Sequence, residues 1–210
     1  MKGDFHVRFC ESGGARLPPA TRRYDAFLSR FEFEFLGLPV TVTFPGGEVN
    51  TGDGRPLGDS CALIVLHYLL GKGGAPATGD WIAYRDLQGA RNHATAFHVE
   101  AEMPLAQALG EDLADWRRIA EESGFGLREY GDLSFVWMAL PRVPLLFVLT
   151  AADEELRGEA RILYDSSAGS WLHTEDLAVL GELAAHALTG HDLCAAGKGD
   201  PEHGRFSDVR

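Results

Sequence analysis

Three strand-length segments follow one another closely in the second half of the chain, and they constrain the fold more than any other feature. They are residues 134–140, Val143–Thr150 and Glu159–Asp165. Only Pro141 and Arg142 separate the first two. A two-residue connection is too short for the crossover that parallel strands require. These segments are therefore expected to form an antiparallel three-stranded meander.

The middle segment is apolar at every position from residue 143 to 149. A strand without polar alternation is typical of one covered on both faces, so it is expected at the centre of the sheet. An N-terminal hairpin is predicted upstream. Residues 30–36 and 39–44 alternate apolar and polar side chains with period two, and Gly37 lies between them.

About three to four helices are expected to pack against these strands. Apolar periodicity and helix-terminal residues predict helices over residues 20–29, from Asp59 to Gly71, from Pro104 to Gly124 and over Thr174–Leu188. A short strand is predicted over residues 81–87. This order of elements favours an α+β fold with an antiparallel sheet over a doubly wound one.

The length of 210 residues suits a single domain. Residues 20–190 are assigned to this domain. Residues 1–19 are polar and glycine-containing and end at Pro18-Pro19, which predicts a flexible arm. After Gly190 the chain again becomes polar, and residues 191–210 are predicted to be a flexible tail.

The formal net charge of −12 argues against nucleic acid and anionic membrane surfaces as partners. No apolar run is long enough to span a bilayer, and residues 1–9 lack the apolar stretch of a signal peptide. The three cysteines are scattered and form no CxxC pair, so no motif for an iron–sulfur cluster is present. A cytoplasmic location is therefore expected.

Two segments carry candidate ligand-binding residues. Trp81 and Tyr84 can form the floor of a pocket, and Arg85 can hold a carboxylate in a bidentate grip. The alternative is a core tryptophan beside a surface ion pair. Asp153 and Glu154 directly follow the central strand, where a rigid sheet aims side chains into a cleft. Their alternative is a solvated acidic turn.

Metal binding is a weaker possibility at two places. Asp153, Glu155 and Asp165 offer the oxygen ligands that a hard cation prefers, although Asp165 ends the next strand and need not meet the others. In the tail, the candidate ligands are His191, Cys194 and His203. A structural zinc site needs four ligands, and only three are evident there.

Several short segments resemble, in order and spacing, a known bacterial and archaeal family called domain of unknown function 3786. They read GDWIAYRDL from residue 79, PRVPL from 141, ADEEL from 152, ARILYD from 160 and LHTEDL from 172. The resemblance extends over residues 27–188. It implies an accessory role near redox or corrinoid proteins of anaerobic metabolism, because some members carry an additional cysteine-rich iron–sulfur segment. This chain has no such cysteine motif.

The leading hypothesis is a non-catalytic accessory domain that binds a small molecule or a protein. Its cleft would comprise Trp81, Tyr84, Arg85, Asp153 and Glu154. One alternative is a hydrolytic enzyme that uses a divalent metal held by the carboxylates near Asp153. Another is a structural or oligomerisation domain, with a homodimer as the simplest assembly.

Overall fold

A computed structural model describes residues 23–25, 29–109, 113–152, 154 and 157–193 of the chain. The arm predicted over residues 1–19 lies outside the described residues, as do residues 194–210 of the predicted tail. The described part is an α+β fold of two antiparallel sheets and the helices that pack on them. Among the described helices, none combines the length and the apolar character needed to cross a membrane.

The first sheet has four strands in the order β1-β2-β3-β4. They are β1 (Arg23–Asp25), β2 (Arg30–Phe35), β3 (Leu38–Thr43) and β4 (Val49–Thr51). Leu36 and Gly37 form the two-residue turn of the predicted hairpin, both with positive φ as the tight turn requires. The prediction of a helix over residues 20–29 is wrong for residues 23–25. These residues form β1, in which Tyr24 pairs with Phe31 of β2.

The second sheet contains the predicted meander but is larger. Its order is β5-β9-β8-β7-β6. The strands are β5 (Trp81–Ala83), β6 (Gly126–Arg128), β7 (Leu133–Leu140), β8 (Val143–Thr150) and β9 (Glu159–Asp165). The meander prediction therefore holds only in part, since β5 and β6 complete a five-stranded sheet. The central position of β8 is confirmed, and Val148 is its only residue from 143 to 149 that is not fully buried.

Five α-helices pack on the sheets within the described residues: α1 (Asp59–Leu70), α2 (Ala94–Phe97), α3 (Met103–Gln107), α4 (Ala114–Glu122) and α5 (Thr174–Leu188). A π-helical turn (His98–Glu102) joins α2 to α3. Gly58 is the N-cap of α1 and makes no side-chain bond, whereas at the N-cap of α5 the His173 imidazole accepts a hydrogen bond from the Glu175 amide.

One hydrophobic core joins the two sheets. Leu36, in the turn of the first sheet, donates its amide proton to the Ala139 carbonyl of β7 at 2.8 Å. Leu193, the last described residue, is buried in the same core, and its carbonyl accepts the Gly58 amide at 3.1 Å. The start of the predicted tail, residues 191–193, is therefore packed against the domain.

Candidate functional site

A concavity near the predicted site residues lies just after β5. There the chain makes a 3₁₀ turn (Tyr84–Asp86), bends at Gly89 with a φ of +86°, and enters a second 3₁₀ turn (Ala90–His93). The concavity has a volume of about 380 Å³ and is lined by Arg85, Asp86, Leu87, Gln88, Gly89, Arg91 and Asn92. We call it the arginine cleft.

Tyr84 fastens this segment to the body of the domain. Its ring is buried and stacks on Phe97 with a centroid distance of 4.4 Å. Its hydroxyl donates to the Thr174 carbonyl at 3.4 Å, and the Thr174 hydroxyl donates to the Gln88 carbonyl at 2.6 Å. Burial, followed by the charges of Glu175 and Glu182, raises the pKa of Tyr84. Tyr84 therefore anchors the cleft and does not line it.

The charge in the cleft comes from Arg85 and Arg91. The Arg85 side chain is 71% exposed, and its Nε lies 4.0 Å from a carboxylate oxygen of Asp86. Arg91 is exposed and forms no ion pair within the described part of the chain. A planar guanidinium donates two parallel hydrogen bonds to a carboxylate or phosphate. With two arginines and one aspartate among its lining residues, the cleft is suited to an anionic group.

Trp81 lies outside the cleft. It is half-buried in the short edge strand β5, where it pairs with Asp165 of β9. Tyr84 turns into the core directly after Ala83, so the strand predicted through Leu87 ends at Ala83.

Asp165 is fully buried and fastens the loop that leads from α1 to β5. Its carboxylate accepts hydrogen bonds from the Thr78 amide at 3.0 Å, the Gly79 amide at 2.7 Å and the Ser167 hydroxyl at 2.6 Å. Burial alone would raise the pKa of Asp165, but the bonds from Ser167, Thr78 and Gly79 outweigh it and lower that pKa. Hydrogen-bond donors of the protein therefore surround this carboxylate, which indicates a structural role.

Glu154 lies far from the arginine cleft. Thr150 of β8 pairs with Glu159 at one end of β9, whereas Asp165 and Trp81 lie at its other end. The six residue steps between Glu159 and Asp165 span about 20 Å. Glu154 is an exposed residue in a bend beyond the first end. The structure therefore does not bring Glu154 together with Arg85, while Asp153 and Glu155 lie outside the described residues.

His191 is placed just after α5. Its Nδ1 lies 3.1 Å from the Thr189 hydroxyl, and its ring centroid lies 5.0 Å from that of His186. Burial, followed by the charge of His191, lowers the pKa of His186. Cys194 and His203 lie outside the described residues. Within the described part, no three side chains of the metal-binding types come close enough together to hold an ion.

Sequence reasoning missed one pair of acidic side chains. Glu182 of α5 is half-buried and shares a hydrogen bond with Glu100 of the π-helical turn. Burial, then the charge of Glu100 and the hydrogen bond to it, raises the pKa of Glu182 to about 7. Glu182 directly follows the buried Gly181, which signals proximity to the core, but its partner is 82 positions away in the sequence (182 − 100).

A protein-family model described as Domain of unknown function (DUF3786) matches residues 19–187. The chain belongs to this family. The resemblance seen in the sequence is thereby confirmed, and the DUF3786 region includes both sheets, the arginine cleft and nearly all of α5. No curated protein and no solved structure matches the chain.

Proposed function

We propose that this DUF3786 domain is a non-catalytic binding domain that holds the anionic group of a small molecule or of a partner protein in the arginine cleft. The observation that carries the proposal is the placement of Arg85 and Arg91 around one concavity of about 380 Å³. Among the residues that the structure describes, Asp86 alone contributes a carboxylate to the lining of the cleft.

The arrangement of the cleft supports recognition at short range. The chain as a whole has a net charge of −12, so its field repels anions at a distance. Binding therefore depends on direct hydrogen bonds from the two guanidinium groups. The anchoring of this segment through Tyr84 and Thr174 holds the cleft in shape before the ligand arrives.

The metal-dependent hydrolase is a weaker proposal. Among its candidate ligands, Asp165 is surrounded by protein hydrogen-bond donors, and Glu154 lies near the opposite end of β9. An accessory role near redox or corrinoid proteins, a cytoplasmic location and a homodimer remain part of the proposal. The first rests on the family resemblance, and the second on three scattered cysteines.

Arg85→Gln and Arg91→Gln, singly and together, test the proposed function. The probe is citrate, titrated into ¹⁵N-labelled protein while the backbone amide signals of residues 85–92 are followed. Saturable shifts are expected for the wild-type protein. Each single substitution is expected to weaken binding about three- to tenfold, because it removes one charge-assisted pair of hydrogen bonds.

Arg117→Gln is the matched control, since it removes the same charge from an exposed position on α4. Asp86→Asn is expected to strengthen citrate binding, because it removes the carboxylate that competes for Arg85. Equal affinity in the double variant and the Arg117→Gln control would refute the assignment of this cleft.

A further inference from the structure

A second concavity lies between the two sheets, on the side of α4 and the end of α5. Its volume is about 290 Å³. The residues that define its walls include Leu36, Ile119, Phe125, Trp137, Leu188 and His191. We call it the inter-sheet groove. It shares no lining residue with the arginine cleft.

The indole N–H of Trp137 lacks an acceptor among the described residues. The Trp137 side chain is more than nine-tenths buried, with 7% of the residue exposed. Of the fully enclosed side-chain nitrogen and oxygen atoms in the described residues, only Arg30 Nε has no partner. Trp137 Nε1 is therefore not fully enclosed, and Trp137 is one of the residues that line the groove. By contrast, Trp171 Nε1 donates to the Ala75 carbonyl at 2.8 Å.

Gly37 keeps the approach to this N–H open. A Cβ atom at Gly37 would lie 3.8 Å from both Nε1 and Cζ2 of Trp137. A longer side chain there would extend over the indole edge. Gly37 has a φ of +74°, so the hairpin turn favours glycine at the same position.

The rest of the groove is suited to a flat ring. Phe125 packs against Trp137 with a centroid distance of 5.0 Å and an interplanar angle of 34°, and Trp137 packs against Phe147 at 6.2 Å. Aromatic rings offset or tilted in this way attract a further planar ring.

The charged groups at the rim are already paired. Arg55 Nε lies 2.9 Å from Asp53, and Arg55 Nη1 lies 3.9 Å from Asp192. The rim therefore gives no advantage to a charged ligand over a neutral one.

From these features we infer that the inter-sheet groove binds a small, uncharged, planar molecule whose carbonyl or ring nitrogen accepts a hydrogen bond from Trp137 Nε1. Because this N–H is not fully enclosed, a ligand acceptor would take the place of water at the donor, and the gain comes from a hydrogen bond made beside apolar walls. Apolar and aromatic walls with a small number of polar groups are typical of small-molecule sites. Here the polar lining residues besides Trp137 are Arg55, Ser123, His191 and Asp192. This site is independent of the proposed function of the arginine cleft.

The test compares two neutral molecules of the same shape, 1-indanone with a carbonyl acceptor and indane without one. Each is titrated into the full-length ¹⁵N-labelled protein, and the indole N–H signals of Trp81, Trp116, Trp137 and Trp171 are followed. Trp137→Phe assigns the signal of interest. We expect 1-indanone to move the Trp137 signal downfield saturably while the other three indole signals stay in place. Indane is expected to bind about three- to tenfold more weakly.

Two variants make the result decisive. Trp137→Phe keeps the apolar surface and should reduce 1-indanone affinity to that of indane. Ile119→Trp fills the groove from α4 without altering the tryptophan, and it should abolish binding of both molecules. A Trp137 signal that does not move at millimolar 1-indanone overturns the inference, whatever fills the groove. Equal affinities for 1-indanone and indane in the wild-type protein overturn it as well.

Discussion

The Glu182 carboxyl illustrates how a single residue can couple stability to pH. It is half-buried on α5 and hydrogen-bonded to Glu100. Two carboxyl groups that share a hydrogen bond hold one proton between them. The phenols of Tyr84 and Tyr164 are near enough for the charge of Glu182 to raise their pKa values, after burial. The ionised forms of Glu182, Tyr84 and Tyr164 are therefore disfavoured at this interface.

The first prediction at this scale concerns stability as a function of pH. The ordinary pKa of Glu182 is 4.5 and its folded value is about 7, so the folded protein holds a proton that the unfolded chain releases. Its contribution to stability is complete below about pH 4.5 and is lost as the pH rises to about 7. Urea unfolding at pH 5, 6, 7 and 8 should show this loss.

Glu182→Gln is expected to remove this part of the pH dependence, because the amide stays neutral throughout. The contribution of Glu182 to the pH dependence of stability is reduced by the partial exposure of its side chain, because water screens its interactions. Glu121→Gln, an exposed position on α4, is the control and should keep the wild-type slope. The same slope in Glu182→Gln as in the wild-type protein would contradict the prediction.

At the scale of an element, the loop between α1 and β5 depends on contacts with residues far away in the sequence. The Ala75 amide donates to the Ser170 hydroxyl at 2.9 Å, and the Ala75 carbonyl accepts the Trp171 indole proton. Thr78 and Gly79 then donate to Asp165. Because β5 follows directly, these bonds also position the edge strand and the arginine cleft beyond it.

Asp165→Asn is expected to destabilise the protein by about 1–3 kcal/mol, because it exchanges an acceptor oxygen for a donor that faces other donors. Protection of the Thr78 and Gly79 amides from hydrogen exchange should fall more than that of β8. Asp80→Asn alters an exposed carboxylate in the same loop and is the matched control. A variant with unchanged stability and protected loop amides would rule out this role.

Elements whose determinants are local could be predicted from the sequence. The bounds of β8, β9 and α5 agree with expectation, because apolar periodicity and nearby turn residues define them. The end of β5 could not be predicted, because Tyr84 leaves the strand to stack on Phe97, thirteen positions away (97 − 84).

The candidate site could be predicted only in part, for the same reason. Arg85, which the sequence predicts as a ligand-binding residue, lines the cleft, whereas Arg91 was not among the predicted residues. Arg91 lines the same concavity as Arg85 after the chain bends at Gly89, and the glycine is the only sign of that bend in the sequence. The sequence analysis placed Glu154 and Trp81 in one cleft, but they lie near opposite ends of β9. Which end each residue is near depends on the strand order, which the sequence does not show directly.

At the scale of the whole molecule, both sheets contribute to one core. The bond from Leu36 to Ala139 links their backbones, and Phe33 and Phe35 of β2 belong to the same cluster of buried residues as Phe135 and Phe147. A shared core should unfold cooperatively, as small single domains do. The prediction is a single urea transition whose midpoint is the same by tryptophan fluorescence and far-ultraviolet circular dichroism. Two separate midpoints would show that the sheets fold independently.

The strand order of the second sheet also affects the tendency of the protein to aggregate in concentrated solution. Its three longest strands, β7, β8 and β9, lie inside, and its two edges are the three-residue strands β5 and β6. A long, flat, apolar margin invites another chain to add a strand, and natural proteins avoid this with short edge strands. In this domain the two most apolar strands of the sheet, β7 and β8, are paired on both sides. We therefore expect the short edge strands β5 and β6 to disfavour aggregation through strand addition.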